Sequence, residues 1–499
     1  VPLKMLPFDN KNEFLLVLDL PEGTSLERSD ACVRAFEEFL SEVPEVTSYQ
    51  SFVGMPAPID FNGLVRHYYL RHAPNNADIR VNIVDKDKRE IQSHALCLRL
   101  RDSLSKIAKN WGVNLKIVEV PPGPPVLSTV VAEIYAKPGC SYEEMRAAAQ
   151  DLMKRMAQHK GVVDIDDSTE ASRKRLRFVL DRTKAALHGV KTHTVAEVLK
   201  IAQRGESIAL MHDPRERQPL EINLRLAEEK RSCAQDLLRL EVAGRRGEAI
   251  PLAELGEFSR LPEDQAIMHK NLERVVFVYA EMAGRPPGEA IIDLIFDLAD
   301  DPLEQAVEVE WAGEGEWLIT LRVFRDLGIA FGIALIGIYI LIVVETNSFF
   351  MPLIIMTAIP LTAIGIMPGF WLMNLLVVES INGYLNSVFF TATGMIGMIA
   401  LGGIVVRNSI VLIEFISDYL GEGGSLREAI LSAGAVRSRP ILLTAGTTAL
   451  GAWPITYDPI FSGLAWALIF GLFASTIFTL LVIPVVYNLV YGDFGAYEN

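Results

Sequence analysis

The stretch Leu401–Phe415, LGGIVVRNSIVLIEF, places a cation inside an otherwise apolar helical run. An arginine at the centre of a membrane helix costs roughly 2.5 to 3.5 kcal/mol, so Arg407 needs a route to water or a partner. Glu414 lies two turns further on the same face, roughly 10 Å along the axis, and offers an end toward which the arginine can snorkel. A carboxylate on a facing helix would serve as a counter-charge instead. The residues of this stretch leave both open, and its surroundings must decide.

Those surroundings are unevenly charged. The 499 residues contain 47 Lys and Arg against 62 Asp and Glu, yet from Leu327 onward there are four arginines (407, 427, 437, 439), no lysine and nine acids. This is a polar domain followed by a membrane domain. A net charge of −15 argues against a nucleic-acid partner, because phosphate binding needs a basic face. The chain opens on Val1 with neither a basic n-region nor an apolar h-region, and so reads as a piece of something longer. Cys32, Cys97, Cys140 and Cys233 lack metal-ligand or redox spacing, and free, partly buried thiols are expected.

In the second part, LGIAFGIALIGIYILIVV from Leu327 and FFMPLIIMTAIPLTAIGI from Phe349 are each about as long as the hydrocarbon is thick. A third span is expected from Ser387 through Arg407 to Ile416, a fourth from Pro440 to Ile455 and a fifth from Gly463 to Val490, which makes five transmembrane helices. Residues 417–439, read as the loop between spans three and four, contain Arg427, Arg437 and Arg439. The other loops of this half have no Lys or Arg, so this one is expected in the cytoplasm. Counting back through three spans puts residues 1–325 outside, as a periplasmic domain on a bacterial inner membrane.

The outer part repeats itself. Residues 13–54, EFLLVLDLPEGTSLERSDACVRAFEEFLSEVPEVTSYQSFVG, read as strand, Pro-x-Gly turn, Ser- or Thr-capped helix and strand. Residues 131–168 read the same way, with their own Pro-Gly turn and an acidic first helical turn. Two split βαβ, ferredoxin-like sandwiches are implied, giving an α+β part ahead of an all-α membrane domain. The bridge VPPGPPV is stiff because its prolines fix φ. Around HDPRERQPLEINLRL the pattern breaks into short helices and strands, as an insertion within the second sandwich would.

The opening PFDNKNEF, the turn LPEGTSLE, then GPPV, GGIVVRNSIVLIEF, RSRPILLT and a last span ending VIPVVY together resemble the resistance-nodulation-division (RND) efflux transporters, of the hydrophobe and amphiphile type. The resemblance covers essentially the whole chain and matches the C-terminal half of such a permease. It implies porter subdomains over residues 1–126, 127–183 and 272–322, a docking insertion over 184–271 and the membrane domain over 323–499. It further implies a homotrimer with a periplasmic adaptor protein and an outer-membrane channel, driven by the proton gradient without a cofactor. It also implies a relay: Arg407 stands where the family usually has lysine, with Asn408 beside it, Thr444 matches a relay threonine and Arg437 a basic residue at the entrance of that helix. The aspartate pair they would face belongs to the N-terminal half. Arginine keeps its charge under all accessible conditions, so its part can only be that of a counter-ion. Read without the resemblance, Thr444 would bond its own helix backbone, Arg437 and Arg439 would follow from the positive-inside rule, and Gly402 with Gly403 would permit close helix approach.

Substrate is harder to read. Phe52, Phe61 and Tyr69 are candidates for a cleft, with packing in the core the plainer expectation. The methionines outside the membrane part show no clustered soft-ligand set, which favours small amphiphilic molecules over metal ions; a heavy-metal RND pump is the alternative. A lipid, sterol or protein-secretion relative would lack the porter repeat. A membrane-anchored periplasmic sensor or scaffold would have no need of an intramembrane cation. No nucleotide-binding glycine loop is present.

Overall fold

A computed structural model describes residues 2–123, 125–378 and 380–494, so Pro124 of the proline bridge lies outside the described residues. The chain divides into two compact units, residues 1–169 with 267–499, and residues 170–266.

The first sandwich runs β1 (Glu13–Asp19), α1 (Leu26–Ser41), β2 (Val46–Val53), β3 (Asn76–Ile83), α2 (Ser93–Trp111) and β4 (Asn114–Glu119). Its antiparallel sheet has the order β2-β3-β1-β4, the arrangement of a split βαβ fold. Phe14, Leu16 and Leu18 alternate along β1 and bury against Phe36 and Leu40 of α1 and Leu96 and Leu104 of α2. At the turn, Gly23 takes φ +87°, a left-handed conformation that favours glycine, and the Ser25 hydroxyl accepts the Arg28 N–H to start α1.

The second sandwich opens with β5 (Val130–Ala136), α3 (Tyr142–Met156) and β6 (Val162–Asp167). Its turn glycine, Gly139, takes φ +92°, and Ser141 with Glu144 closes a full capping box. The chain then leaves for the second unit: β7 (Lys174–Leu180), α4 (Arg182–His188), α5 (Thr192–Gln203), the hairpin β8 (Glu206–Met211) and β9 (Leu220–Leu224), β10 (Glu241–Ala243), β11 (Ala249–Pro251) and β12 (Gly256–Pro262). β7 pairs with β12 along its whole length. That ladder ties residues 174–180 to the insertion, so the compact unit begins ahead of the expected residue 184. The unit has a small core of Val190, Val195, Val242, Ile250, Leu252 and Leu255. The hairpin contributes nothing to it, since Ile208, Leu210, Met211, Leu220, Ile222 and Leu224 are all exposed.

Back in the second sandwich, β13 (His269–Lys270), β14 (Glu273–Met282), α6 (Pro287–Asp300) and β15 (Val307–Glu310) complete the sheet. β14 lies between β5 and β6, and β15 pairs the far edge of β5. The order repeats that of the first sandwich.

The membrane part consists of α7 (Glu316–Thr346), a short helix at Met351–Met356 leading into α8 (Ala358–Leu376), a small hairpin of β16 (Ser380–Ile381) and β17 (Tyr384–Leu385), α9 (Ala392–Gly421), α10 (Leu426–Ala452) and α11 (Ser462–Phe494). Among the described residues four helices, at 316–346, 351–376, 392–421 and 462–491, are long and apolar enough to cross a membrane. α10 falls short of that measure because Arg427, Arg437, Arg439 and several Ser and Thr residues dilute its apolar content.

Residues 417–439, expected as a loop, are mostly helical. α9 continues to Gly421 and α10 already starts at Leu426. The Ser425 hydroxyl accepts the Glu428 N–H at 3.3 Å and donates to its carboxylate at 2.9 Å, and LREAILSAGA is rich in strong helix formers. The close helix approaches also differ from expectation. A Cβ on Gly403 would meet nothing and one on Gly402 only ordinary contact, whereas on Gly365, Gly369 or Gly471 it would come within 2.3 Å of Ala474, Phe470 or Leu401. Those glycines seat α8 and α9 against α11.

The two halves of the larger unit are joined backbone to backbone. Phe390 N–H donates to Pro2 O at 2.9 Å and Ala392 N–H to Met5 O at 3.1 Å, which fixes the start of α9 beside the lead-in to β1.

Candidate functional site

Along α9 the unburied positions include Ile396, Ala400, Gly403, Arg407 and Glu414, while Leu401, Val405, Ser409, Leu412 and Ile416 are buried. Arg407 therefore stands on the open stripe of the helix, and among the described residues it forms no hydrogen bond or ion pair. Glu414 is likewise exposed without an ion pair, so no pairing of Arg407 with Glu414 is present. Asn408 is one step round the helix and only 6 % exposed. On α10 the buried stripe is Ala429, Ala433, Ile441, Ala445 and Ala452. Thr444 is outside it, its hydroxyl donating to Ile441 O at 3.0 Å, the local bond such a residue makes in any helix. The Arg437 guanidinium sits 5.2 Å from the Phe415 ring centroid and so packs α10 against α9. Phe415 is about 12 Å along α9 from Arg407 at 1.5 Å per residue. The structure thus places Arg407 and Thr444 on unburied surfaces, Asn408 inside and Arg437 at a different level.

The outer part holds a second constellation, which the sequence reading passed over. Asp19 at the end of β1 receives Arg71 at 2.6 Å and Lys116 at 2.7 Å, and Lys116 reaches Asp166 at 2.5 Å. Burial pushes the Asp19 carboxyl up, but Lys116 and Arg71 outweigh it and hold the group well below the usual carboxylate range. Arg71 also pairs with Asp78, and Arg101 with Asp164. Asp164 takes φ +54°, and its carboxylate accepts the Ile117 N–H at 3.1 Å. Arg66 meets Glu281 at 2.6 Å. Lys116–Asp166, Arg101–Asp164 and Arg66–Glu281 each join one sandwich to the other.

Around these bridges runs a cleft of about 340 Å³, and beside it one of about 680 Å³. The larger is mostly apolar, with Val126, Leu127, Phe277, Tyr279, Leu318 and Ile319 on its walls, and His67, Met268, His269 and Lys270 at its polar side. Phe277 and Tyr279 stack at 6.0 Å. Phe61, for which core packing was the plainer expectation, is 65 % exposed, and Phe52 and Tyr69 are half-buried. The only sequence signal for the bridges was acids such as Asp19, Asp78 and Glu281 in otherwise apolar strands. No group of three or more His, Cys, Asp and Glu able to hold a metal occurs among the described residues. The four cysteines are free, and burial pushes the Cys32 thiol up to about 11 despite Arg28.

A profile of the AcrB/AcrD/AcrF family matches residues 1–491. The chain belongs to that family. Members of the AcrB/AcrD/AcrF family are inner-membrane efflux permeases of the RND type, not enzymes. Among relatives, the swarming motility protein SwrC of Bacillus subtilis is 25 % identical over 97 % of this chain and 43 % of its own length. The cobalt-zinc-cadmium resistance protein CzcA of Cupriavidus metallidurans is 26 % identical over 63 % of this chain and 29 % of its own. The multidrug resistance protein MdtC of Photorhabdus laumondii is 22 % identical over 100 % and 45 %. The crystal structure of a heavy metal efflux pump superposes with a TM-score of 0.79 at 20 % identity, over 98 % of this chain and 48 % of that one, which shows the shared fold. The chain spans less than half the length of these relatives.

Proposed function

We propose that this chain is the C-terminal half of a proton-driven RND permease that exports amphiphilic small molecules from the periplasm or the inner membrane. The observation that carries the reading is the cleft of about 680 Å³ where the second sandwich and the start of α7 meet the linker and Val65 and His67 of the first sandwich, with an apolar, aromatic wall and a few polar groups. α7 to α11 are the five spans, α10 among them by the exposed apolar side chains of Leu431, Val436, Leu442, Leu443 and Leu450. Arg407, open to one side of its bundle, is the fixed counter-ion of a carboxylate pair in the N-terminal half, with Asn408, Thr444 and Arg437 in supporting parts. The whole assembly is a homotrimer working with a periplasmic adaptor and an outer-membrane channel.

A second substrate class has its own observation. His67, Met268 and His269 line the same cleft, and imidazole and thioether are ligands for soft and borderline metal ions; the relatives whose names speak of cobalt, zinc and cadmium favour it as well. Cells deleted for their own pumps and carrying the full-length protein separate the two. Export of amphiphiles predicts at least a fourfold rise in tolerance to cationic dyes and detergents, with tolerance to cobalt, zinc and cadmium unchanged. The opposite pattern would assign the cleft to metal ions, and no change in either would remove the export reading.

Two further expectations follow from the arrangement. The residues between α9 and α10 face the cytoplasm, so a reporter active only in the periplasm should be silent at Gly423 and active ahead of Arg325; activity at Gly423 would invert the topology. The β8–β9 hairpin exposes apolar side chains on both strands, and two isolated strands are marginal in water, so a neighbouring subunit covers it. Deleting residues 208–222 should convert the trimer to monomers in mild detergent, and an unchanged trimer would refute that role.

A further inference from the structure

A crevice of about 330 Å³ opens where the base of the second sandwich meets the end of α8. Lys160, Gly161 and the turn Ala283–Pro286 form its upper wall, and Asn374, Val378 and the β17 hairpin its lower one. Its depth follows from the chain. The apolar run of α8 ends at Leu376, and the hairpin that follows is tied to the first sandwich, with the Asn382 amide donating to Arg99 O at 2.7 Å. Just below, Trp371, Leu372, Leu375 and Leu376 are exposed, Leu376 by 70 %. A tryptophan with leucines at the end of a span, under a basic rim, marks the level of lipid headgroups.

Two cations border the crevice, and they differ. Arg285 is answered by Glu289 at 3.4 Å and by Asp293. Lys160 is exposed and has no ion pair among the described residues. The walls are held close by backbone: a Cβ on Gly284, at φ +72°, would lie 2.7 Å from Leu385 N. An open cation above an apolar helix face, at headgroup depth, fits one kind of ligand.

We propose that this crevice binds an anionic phospholipid of the leaflet facing the sandwiches, with its phosphodiester on Lys160 and its acyl chains along Trp371 and Leu375 of α8. Glu289 on the rim disfavours a second negative charge, so the site takes a monoanionic headgroup. The inference rests on the reading of α8 as membrane-spanning, and the test separates the two.

The full-length protein is reconstituted into nanodiscs, and the fluorescence of Trp371, isolated by subtracting the Trp371→Phe variant, is quenched by phosphatidylglycerol or phosphatidylcholine spin-labelled at the top of the acyl chain. One basic residue near a charged lipid contributes about 1 kcal/mol, so about a fivefold preference for phosphatidylglycerol is expected. Lys160→Glu should abolish that preference while leaving quenching by phosphatidylcholine intact, which also shows that the variant is folded and inserted. Equal quenching by the two lipids in the wild type, or a preference that survives Lys160→Glu, would overturn the proposal. Loss of the preference in excess inorganic phosphate would assign Lys160 to free phosphate and likewise overturn it. Quenching by neither lipid would show that the α8 face does not meet lipid, a failure of the membrane reading itself.

Discussion

Arg407→Ala in the full-length permease should abolish export while leaving folding and trimer formation intact. Among the described residues the side chain has no partner, and it lies on the open stripe of α9, so its removal creates no cavity and strands no buried acid there. Alanine is also the better helix former, and the expected change in stability is within about 0.5 kcal/mol. On the proposed relay, what would be lost is the cation that keeps a facing carboxylate pair ionised until a proton arrives, a charge change able to tilt a helix bundle. Arg407→Lys should retain part of the transport, because carboxylates need the charge more than the fork geometry. Thr444→Ala should impair transport less, since its hydroxyl already has a backbone partner at 3.0 Å, and Glu414→Gln should be nearly silent. Export by Arg407→Ala at the wild-type rate would make the residue a boundary charge that reaches water and would end the relay assignment.

Glu281→Gln should destabilise the outer part by about 3 to 5 kcal/mol, the cost of breaking a buried pair from one side. Arg66 is only 10 % exposed as a side chain, and its guanidinium would keep its charge without the carboxylate. Burial pushes the Glu281 carboxyl up, but Arg66, Thr129 and Ser128 outweigh it and hold it below its ordinary value. A carboxylate lowered on folding stabilises fully above its unfolded value of about 4.3 and loses that contribution as pH falls through its folded value. Thermal unfolding of the full-length protein in detergent should therefore show a fall in midpoint for Glu281→Gln at pH 7, with the difference from wild type shrinking below about pH 4. An unchanged midpoint at pH 7 would mean that the Arg66–Glu281 bridge does not hold the sandwiches together.

How much of this could be read beforehand depended on the range of the interactions. The two sandwiches were legible because their signals are local: a Pro-x-Gly or Pro-Gly turn, a Ser cap and alternating apolar residues recur in each, and Gly23 and Gly139 take nearly the same left-handed φ. The insertion boundary was not, because β7 is drawn into it by β12, a partner more than seventy residues away. Arg427, Arg437 and Arg439 suggested a loop, and the Ser425–Glu428 capping signal, which starts a helix there, was the local fact that outweighed them. Gly402 and Gly403 drew notice as a pair, yet a glycine matters only where another helix stands opposite, and that is at Gly365, Gly369 and Gly471. The same limit hid the bridges between the sandwiches. Asp164 and Arg101 are on different sandwiches, and nothing in either local sequence names the other. At Arg407 the sequence showed an unexplained cation, and the structure shows it open to one side; the partner that would explain it is not among the described residues.

The most direct test of the central claim is proton movement in proteoliposomes containing the full-length protein and a pH-sensitive dye, with a pH gradient imposed across the membrane. Adding an amphiphilic substrate should accelerate collapse of the gradient in the wild type and have no effect in Arg407→Ala. A gradient that decays at the same rate with and without substrate in the wild type, while substrate still moves, would contradict proton-coupled export by this permease.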